Sequence, residues 1–286
     1  MKVLVTGATG HFGGLVVEYL LEKMDANNIA ISVRNPEKAA KYANKGIDVR
    51  QGNFDLPETL ETAFDGIDKL LIVSTDLDNE TRIRQHRAAV AASKKAGVKH
   101  IVYTSVANAP ASTLSLAEVH RRTEQAIIDT GIAYTFLRNN WYLENEVSSI
   151  QAAAAGAPWV TSAQGGKVGW ALRREYAEAA ASVLASEGHE NTIYELSGEP
   201  QTQDTLATVV AKILGREIPV LHVSDEAYAQ GLRSAGLPEF VVDLLQGIQK
   251  SIREDALDVV SSDLHKLLGR SPLSLEQAVA EIVKGL

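Results

Sequence analysis

Short apolar runs alternate with longer, mixed segments along the first half of the chain. The runs are rich in β-branched residues, which predicts buried strands at residues 2–6, 29–33, 47–51, 69–73, 99–104 and 133–137. The segments between them predict helices that begin near residues 11–12 and at Pro57 and that span 80–96 and 115–130. Strands and helices that alternate this regularly predict a parallel sheet whose ligands bind at the carboxyl ends of its strands.

The pattern changes after residue 137. An aromatic and amide cluster is followed by a short helix, by a hairpin-type turn at 165–167 between the apolar runs 159–160 and 168–170, and by a helix over 174–187. Residues 192–196 predict a further strand of the same sheet. From residue 202 onward we expect three or four amphipathic helices, interrupted by one short strand at 218–222.

These elements predict an α/β fold, a Rossmann-type doubly wound parallel sheet with a smaller, mostly helical C-terminal lobe. The boundaries that we expect are residues 1–138 plus about 173–198 for the nucleotide-binding core, and 139–172 with 199–286 for a substrate-binding lobe.

Three glycines separate the first strand from the first helix, in the spacing Gly7-x-x-Gly10-x-x-Gly13. Gly7 permits a tight turn, Gly10 lets a diphosphate approach the backbone, and Gly13 lets the helix lie close to the sheet. The helix N-terminus then offers unpaired N–H groups to the phosphates. A glycine-rich turn in this strand–turn–helix context predicts a dinucleotide-binding fold.

The end of the second strand predicts which dinucleotide is preferred. A site that prefers NAD places an acidic residue there for the ribose 2′-hydroxyl, whereas this chain has Arg34, with Lys38 close behind. A guanidinium pairs well with a 2′-phosphate, so we expect NADP(H) as the cofactor. The alternative is that Arg34 is an ordinary solvated loop residue.

The predicted cofactor contacts lie in the glycine loop and at the carboxyl ends of the strands. They are Gly7, Ala8, Thr9, Gly10, His11, Phe12, Arg34, Lys38, Phe54, Asp55, Ser74, Thr75, Ser105, Arg138 and Asn139. Asp55 could equally cap the helix that Pro57 begins, and Ser105 is expected just past the end of the fifth strand.

Composition narrows the choice of partner and compartment. The formal net charge of −8 argues against a nucleic-acid-binding surface, and the chain has no cysteine for disulfides, thiolate metal sites or a thiol nucleophile. We expect no metal site. The start of the sequence reads as a strand and not as a signal peptide, and no apolar stretch approaches the length of a membrane span, so we expect a cytoplasmic protein without membrane contact.

One catalytic pattern is missing. Short-chain dehydrogenases place Tyr-x-x-x-Lys on the helix after the fifth strand, where the lysine lowers the tyrosine pKa. That helix of this chain contains neither Tyr nor Lys. If Glu124 is aligned with the glutamate that often follows the lysine by four, His120 falls on the lysine position and Leu116 on the tyrosine position. Ordinary Tyr/Lys alcohol–ketone chemistry is therefore not expected.

Several motifs together resemble the NmrA-like group of atypical short-chain dehydrogenases, including the bacterial quinone and triphenylmethane reductases. They are Thr6-Gly7-Ala8-Thr9-Gly10, Val33-Arg34-Asn35, Gly97-Val98-Lys99-His100-Ile101, Leu116-Ala117-x-x-His120-x-x-Thr123-Glu124 and Leu137-Arg138-Asn139-x-Trp141-Tyr142-x-Glu144-Asn145. The resemblance implies direct hydride transfer from NADPH to a conjugated acceptor, such as a quinone or a dye, without a strong general acid.

The predicted catalytic residues are His120, Asn140, Trp141 and Tyr142. The last three would form a wall for a small flat aromatic or quinonoid substrate, or would only pack the lobe onto the sheet. His120 would orient the acceptor or donate a proton, or would be merely structural. A homodimer is possible. The alternative functions are an NADP(H)-sensing NmrA-like regulator without turnover, and a reductase of a carbon–carbon or imine bond in a specialised metabolite.

Overall fold

The computed structural model describes residues 1–286 and contains eleven strands and twelve α-helices. The strands are β1 (Val3–Thr6), β2 (Ile29–Val33), β3 (Asp48–Gln51), β4 (Lys69–Ile72), β5 (His100–Val106), β6 (Ala133–Asn139), β7 (Trp159–Thr161), β8 (Lys167–Val168), β9 (Thr192–Leu196), β10 (Gln201–Thr202) and β11 (Val220–His222). The helices are α1 (His11–Lys23), α2 (Ala40–Ala43), α3 (Pro57–Phe64), α4 (Asn79–Lys95), α5 (Ala117–Ile128), α6 (Val147–Ala154), α7 (Arg173–Ala185), α8 (Gln203–Leu214), α9 (Asp225–Ser234), α10 (Glu239–Arg253), α11 (Asp263–Leu268) and α12 (Leu275–Lys284).

Seven strands form one parallel sheet in the order β3-β2-β1-β4-β5-β6-β9. The strand order reverses between β1 and β4, which places a crevice for ligands at the carboxyl ends of these two strands. The predicted doubly wound parallel sheet is confirmed, including the late strand β9 at its edge.

Both faces of the sheet are covered. Val3 and Val5 of β1 point into an apolar cluster with α1 and α7, whereas Leu4 points into the opposite cluster with α3 and α4. Successive side chains of a strand alternate between faces, so a short β-branched run buried on both sides fits this position.

The remaining segments build a lobe around a third apolar cluster, in which Trp159, Val210 and Leu257 are buried. After Gln203 there are five helices, more than the three or four expected. One of them, α11, does not pack in this lobe cluster, because its Leu264 is buried against the helices that cover the sheet.

The predicted hairpin at residues 165–167 is wrong. β7 pairs in parallel with β11, and β8 pairs in antiparallel orientation with β10, so the two apolar runs belong to different small sheets. Gly166 lies directly against the backbone of Ile252 at the end of α10, where a Cβ would collide with it. Gly166 therefore serves a close approach of two backbones, whereas a Cβ on Gly165 would meet nothing within 4 Å.

Ser105 also differs from expectation, since it lies inside β5 and not past its end. The ladder between β5 and β6 continues through Ser105↔Arg138 and Val106↔Asn139, two residues beyond the predicted ends of both strands. No helix in the structure combines the length and the apolar character that a membrane crossing requires.

Candidate functional site

The loop between β1 and α1 is tightly folded by its glycines. Gly7 has a φ of +64°, a left-handed conformation that favours glycine. A Cβ on Gly13 would lie 2.5 Å from the carbonyl oxygen of Gly7, so α1 can pack this closely only with glycine there. These two residues have the predicted roles in shaping the loop.

The N-terminus of α1 leaves hydrogen-bond donors without partners. The backbone N–H groups of His11, Phe12 and Gly13 find no acceptor in the chain, and Gly10 at the N-cap has no side chain to supply one. The first turn of α1 contains no acidic residue. Three free donors at the positive end of a helix fit a diphosphate group.

Gly10 keeps the approach to these donors open. A Cβ at this position would have only the Gly7 carbonyl oxygen within 4 Å, at 3.3 Å, so the glycine is not required for packing within the protein. Beside the loop, a depression of about 380 Å³ extends over Thr9 and His11 to Lys41 and Arg173. This surface is therefore accessible and carries two basic side chains.

Arg34 directly follows β2, and no carboxylate stands at that strand end. The Arg34 side chain is exposed and makes no hydrogen bond or ion pair in the chain, and the same holds for Lys38. The side chain of Asn35 accepts the Glu37 N–H at 3.0 Å and starts the short turn Pro36–Ala39, which contains Lys38. Two unpaired cations at this place fit a 2′-phosphate.

Asp55 does not cap α3, so that alternative for its role is wrong. The N-cap of α3 is Leu56, which makes no side-chain hydrogen bond. The Asp55 carboxylate instead accepts hydrogen bonds from Arg84 Nη2 at 2.7 Å and Gln85 Nε2 at 3.1 Å, which lower its pKa. Phe54 beside it is half-buried against the sheet.

The ends of the central strands are cross-linked by hydroxyl groups. Thr6 Oγ1 accepts the Val73 N–H at 2.9 Å, and Thr104 Oγ1 accepts the Ser74 N–H at 2.8 Å. The Thr75 N–H donates to Nε2 of His86 at 3.1 Å. The loop that contains Ser74 and Thr75 is therefore fixed at the crevice between β1 and β4.

Ser105 and Arg138 belong to a buried ion-pair network. Ser105 Oγ donates to Glu124 at 2.6 Å, and Arg138 donates to both oxygens of Glu124, at 3.0 and 2.7 Å, and to Glu195 at 3.0 Å. The pairing with Glu124 raises the pKa of Arg138 against the effect of its burial. This network joins β5, α5, β6 and β9, and the cofactor contacts expected of Ser105 and Arg138 stay predictions.

His120 lies beneath the crevice in a second polar network. Arg82 Nη2 is 3.2 Å from His120 Nε2, and a guanidinium can only donate, so Nε2 accepts. The single proton of the neutral ring is then on Nδ1, which is 2.8 Å from the hydroxyl of Tyr103. Both ring nitrogens of His120 are thus engaged within the protein, and its side chain is 4% exposed.

His86 has the same protonation pattern. Its Nε2 accepts the Thr75 N–H, so its Nδ1 proton faces Thr123 Oγ1, 3.0 Å away. Burial and the charge of Arg82 lower the pKa of His86 to about 3 and lower that of His120 well below its usual range. Both histidines are therefore neutral at physiological pH.

Arg82 is a buried cation without an acidic partner. It is 8% exposed, its Nε has no hydrogen-bond partner, and it makes no ion pair. Arg82 and His86 were not among the predicted site residues, although they are four residues apart on one face of a helix that follows a strand end. That spacing is a usable signal for two side chains that reach the same place.

Tyr142 connects the glycine loop to the lobe. Its ring stacks on Phe12 with a centroid distance of 6.1 Å and an interplanar angle of 12°, and its hydroxyl accepts from Asn139 Nδ2 at 3.1 Å. The guanidinium carbon of Arg173 also lies over the Tyr142 ring, 5.3 Å from its centroid. Burial raises the pKa of Tyr142 to about 12.

The structure separates the predicted roles of Asn140 and Trp141. The Asn140 amide is buried and fully used, donating to Ser197 Oγ and to the Leu257 carbonyl, both at 3.0 Å, and accepting the Trp141 N–H at 2.8 Å. Trp141 is half-buried and packs on the apolar cluster of the lobe. Of the predicted wall, Trp141 and Tyr142 have surface left for a ligand.

Comparison with known proteins gives a consistent set of relatives. The sequence profile of the NmrA-like family matches residues 1–270. The chain is 38% identical to quinone oxidoreductase 2 of Escherichia coli over 281 residues, which cover 98% of each chain.

Two solved structures share the whole fold. The Citrobacter triphenylmethane reductase in complex with NADP(H) is 40% identical with a TM-score of 0.94, and the match covers 99% of this chain and 100% of the other. The NADPH complex of the NADPH-dependent quinone oxidoreductase from E. coli is 38% identical with a TM-score of 0.95, at the same coverage.

Proposed function

The chain belongs to the NmrA-like family, and from this membership and the geometry of the site we propose that it is an NAD(P)H-dependent oxidoreductase. NADPH is the preferred cofactor, and the acceptor is a small, flat, conjugated electrophile such as a quinone or a triphenylmethane dye. The relatives named for these two activities match along the whole chain, which supports both the cofactor and the acceptor class.

The observation that carries this proposal is the unsatisfied N-terminus of α1. The N–H groups of His11, Phe12 and Gly13 would bind the diphosphate, and Arg34 with Lys38 would bind the 2′-phosphate. When bound, the reduced nicotinamide supplies a hydride. Tyr142, stacked on Phe12 at the start of α1, would hold the acceptor side of the crevice in place.

The chain's own residues would act by orientation and exclusion of water. A cationic dye is neutralised when hydride arrives and needs no proton, and a quinone takes its proton from solvent. His120 fits this scheme, since Arg82 and Tyr103 occupy both of its ring nitrogens. Catalysis would then rest on alignment of the two reactants and on the electrostatics of the crevice.

Steady-state oxidation of NADPH tests the proposal. With 1,4-benzoquinone or malachite green as acceptor, we expect turnover that depends on both reactants and that is slower with NADH at equal, subsaturating concentration. If NADPH binds but quinones, dyes and enones are not reduced, the protein is not a reductase, and the alternative of an NADP(H)-binding regulator is favoured.

A further inference from the structure

The lobe contains a carboxyl group that lies beside aromatic side chains. Glu146 ends the short turn Leu143–Glu146, and Trp170 Nε1 donates to its Oε1 at 3.2 Å. The indole of Trp141 lies near enough to lower the pKa of Glu146, and burial together with the charge of Glu146 raises the pKa of the Tyr228 phenol on α9 to about 12. We call Glu146, Trp141, Trp170 and Tyr228 the aromatic cage.

This carboxyl group has no cationic partner. No lysine, arginine or histidine pairs with Glu146, and no charged group contributes to the shift of its pKa. Burial raises that pKa to about 7 although the two indoles oppose the shift. Glu146 is half-buried and has no counter-ion in the chain, so a cation from outside the chain would stabilise its carboxylate.

The aromatic cage adjoins the acceptor side of the proposed site. Trp141 lies two residues after the end of β6 and directly precedes Tyr142. Tyr142 forms an isolated β-bridge with Ala171, which directly follows Trp170 in the chain. Trp141 and Trp170 also pack in one apolar cluster with Leu116, which occupies the position of the tyrosine acid in ordinary short-chain dehydrogenases. A molecule that stacks on Trp141 would thus bring one edge to Glu146.

We propose that the aromatic cage binds the positively charged group of a cationic conjugated acceptor, so that Glu146 determines the preference between cationic and neutral acceptors. This inference rests on the proposed reductase function. Aromatic rings attract ammonium and delocalised iminium groups, and a carboxylate supplies the counter-charge. The Trp170 indole donates to the carboxylate and holds it in position, and Trp141 is only half-buried.

The charge balance of the reaction predicts which kinetic constant depends on Glu146. Transfer of a hydride to a cationic dye forms a C–H bond and leaves a neutral product, so positive charge decreases on the way to the transition state. Glu146 therefore stabilises the bound dye more than the transition state. Removing its charge should raise KM without lowering kcat.

The variant Glu146→Gln tests this with malachite green as the cationic acceptor and 1,4-benzoquinone as the neutral one. We expect KM for the dye to rise about tenfold or more, kcat for the dye to be undiminished, and both constants for benzoquinone to stay within about twofold. The matched control is Glu226→Gln, which removes the same charge from an exposed position on α9 and should leave both acceptors unaffected. An equal effect of Glu146→Gln on dye and quinone, or none on either, overturns the inference.

Dye binding without turnover provides a second readout. Two of the three tryptophans, Trp141 and Trp170, are in the cage, so titration of the NADP⁺-loaded protein with malachite green should quench tryptophan fluorescence, with a dissociation constant about tenfold weaker in Glu146→Gln. If wild type reduces benzoquinone but neither binds nor reduces the dye, the inference fails and the proposed function stands. If the dye binds in a Glu146-dependent way but no acceptor is reduced, the proposed function fails and the cation-binding cage stands.

Discussion

Arg82 donates a hydrogen bond to Nε2 of His120 across 3.2 Å, and this contact determines what His120 can do. The guanidinium keeps Nε2 as an acceptor, so the ring proton lies on Nδ1 and faces Tyr103. The same positive charge lowers the pKa of His120, in addition to the effect of burial. His120, which the sequence pattern aligns with the usual catalytic lysine, is therefore neutral and turned towards the protein.

The first prediction concerns proton donation. His120→Ala and Tyr142→Phe should each keep measurable reduction of benzoquinone, because neither side chain supplies an indispensable proton. A true general acid contributes about 10²–10⁴-fold. A loss of kcat by about a thousandfold in His120→Ala, with KM and melting temperature unchanged, would instead make His120 the acid. A thermal melt is part of the experiment, because the variant leaves Arg82 without its acceptor.

The second prediction is loss of stability in acid. Histidines that are neutral when folded favour the folded state above their unfolded pKa of about 6.5 and lose this contribution as the pH falls towards the folded value. The pKa of His86 is about 3 in the folded protein, and that of His120 is lowered in the same direction. Below pH 6.5 each histidine should therefore decrease the free energy of unfolding by up to about 1.4 kcal/mol per pH unit.

Urea unfolding at pH 8, 6.5 and 5 measures this effect. His86→Gln and His120→Gln should each show a smaller decrease in the free energy of unfolding between pH 6.5 and 5 than wild type. The values at pH 8 are the control, since both imidazoles are neutral there and any difference reflects lost contacts alone. The prediction is contradicted if the free energy of unfolding decreases between pH 6.5 and 5 as steeply in both variants as in wild type.

The third prediction concerns the choice of cofactor. Arg34→Ala should weaken NADPH binding by about 1–3 kcal/mol, the range for a charge-assisted contact, and leave NADH almost unchanged. Calorimetric titration with both cofactors measures the difference. Lys45→Ala, at an exposed position beyond α2, removes a positive charge from the same region as a control. Equal losses for NADPH and NADH in Arg34→Ala would exclude the contact with the 2′-phosphate.

The fourth prediction is that Gly10 serves cofactor binding whereas Gly13 serves the packing of α1. Gly10→Ala should fold with only a small loss of stability, because its methyl group meets only the Gly7 carbonyl inside the protein, at 3.3 Å. It should bind neither cofactor well if the diphosphate approaches the backbone at Gly10. Gly13→Ala should lose about 1–3 kcal/mol of stability, since its Cβ would lie 2.5 Å from the same oxygen. The two variants carry the same added atom, so each is the control for the other. Full NADPH affinity in a folded Gly10→Ala protein would refute the site.

Local patterns predicted the sheet and the glycine loop because their causes are local. The β-branched run Val3–Thr6 and the glycines that follow it determine a strand, a turn and a helix start with no information from the rest of the chain. Arg34 could be predicted as a cofactor contact for the same reason, because it directly follows the apolar run of β2. These features were predicted at their correct positions.

The features that the sequence did not reveal depend on contacts between distant segments. β7 pairs with β11, which lies 61 residues further along, and nothing in Trp159–Thr161 distinguishes that partner from a near neighbour. Arg82 meets His120 only because α4 and α5 pack side by side. A helix cap was one of two roles that the sequence offered for Asp55, but Arg84 and Gln85 reach its carboxylate from α4.

Transfer of an isotopic label tests the central claim, direct hydride transfer to a conjugated acceptor, most directly. NADPH carrying deuterium at one face of nicotinamide C4 would be mixed with the protein and malachite green, and the colourless product analysed by mass spectrometry and NMR. The account predicts one deuterium at the central carbon of the product for one labelled face, none for the other, and a slower reaction with the transferred label. A colourless product that carries no deuterium from either face, or no consumption of NADPH with this dye or with benzoquinone, would contradict it.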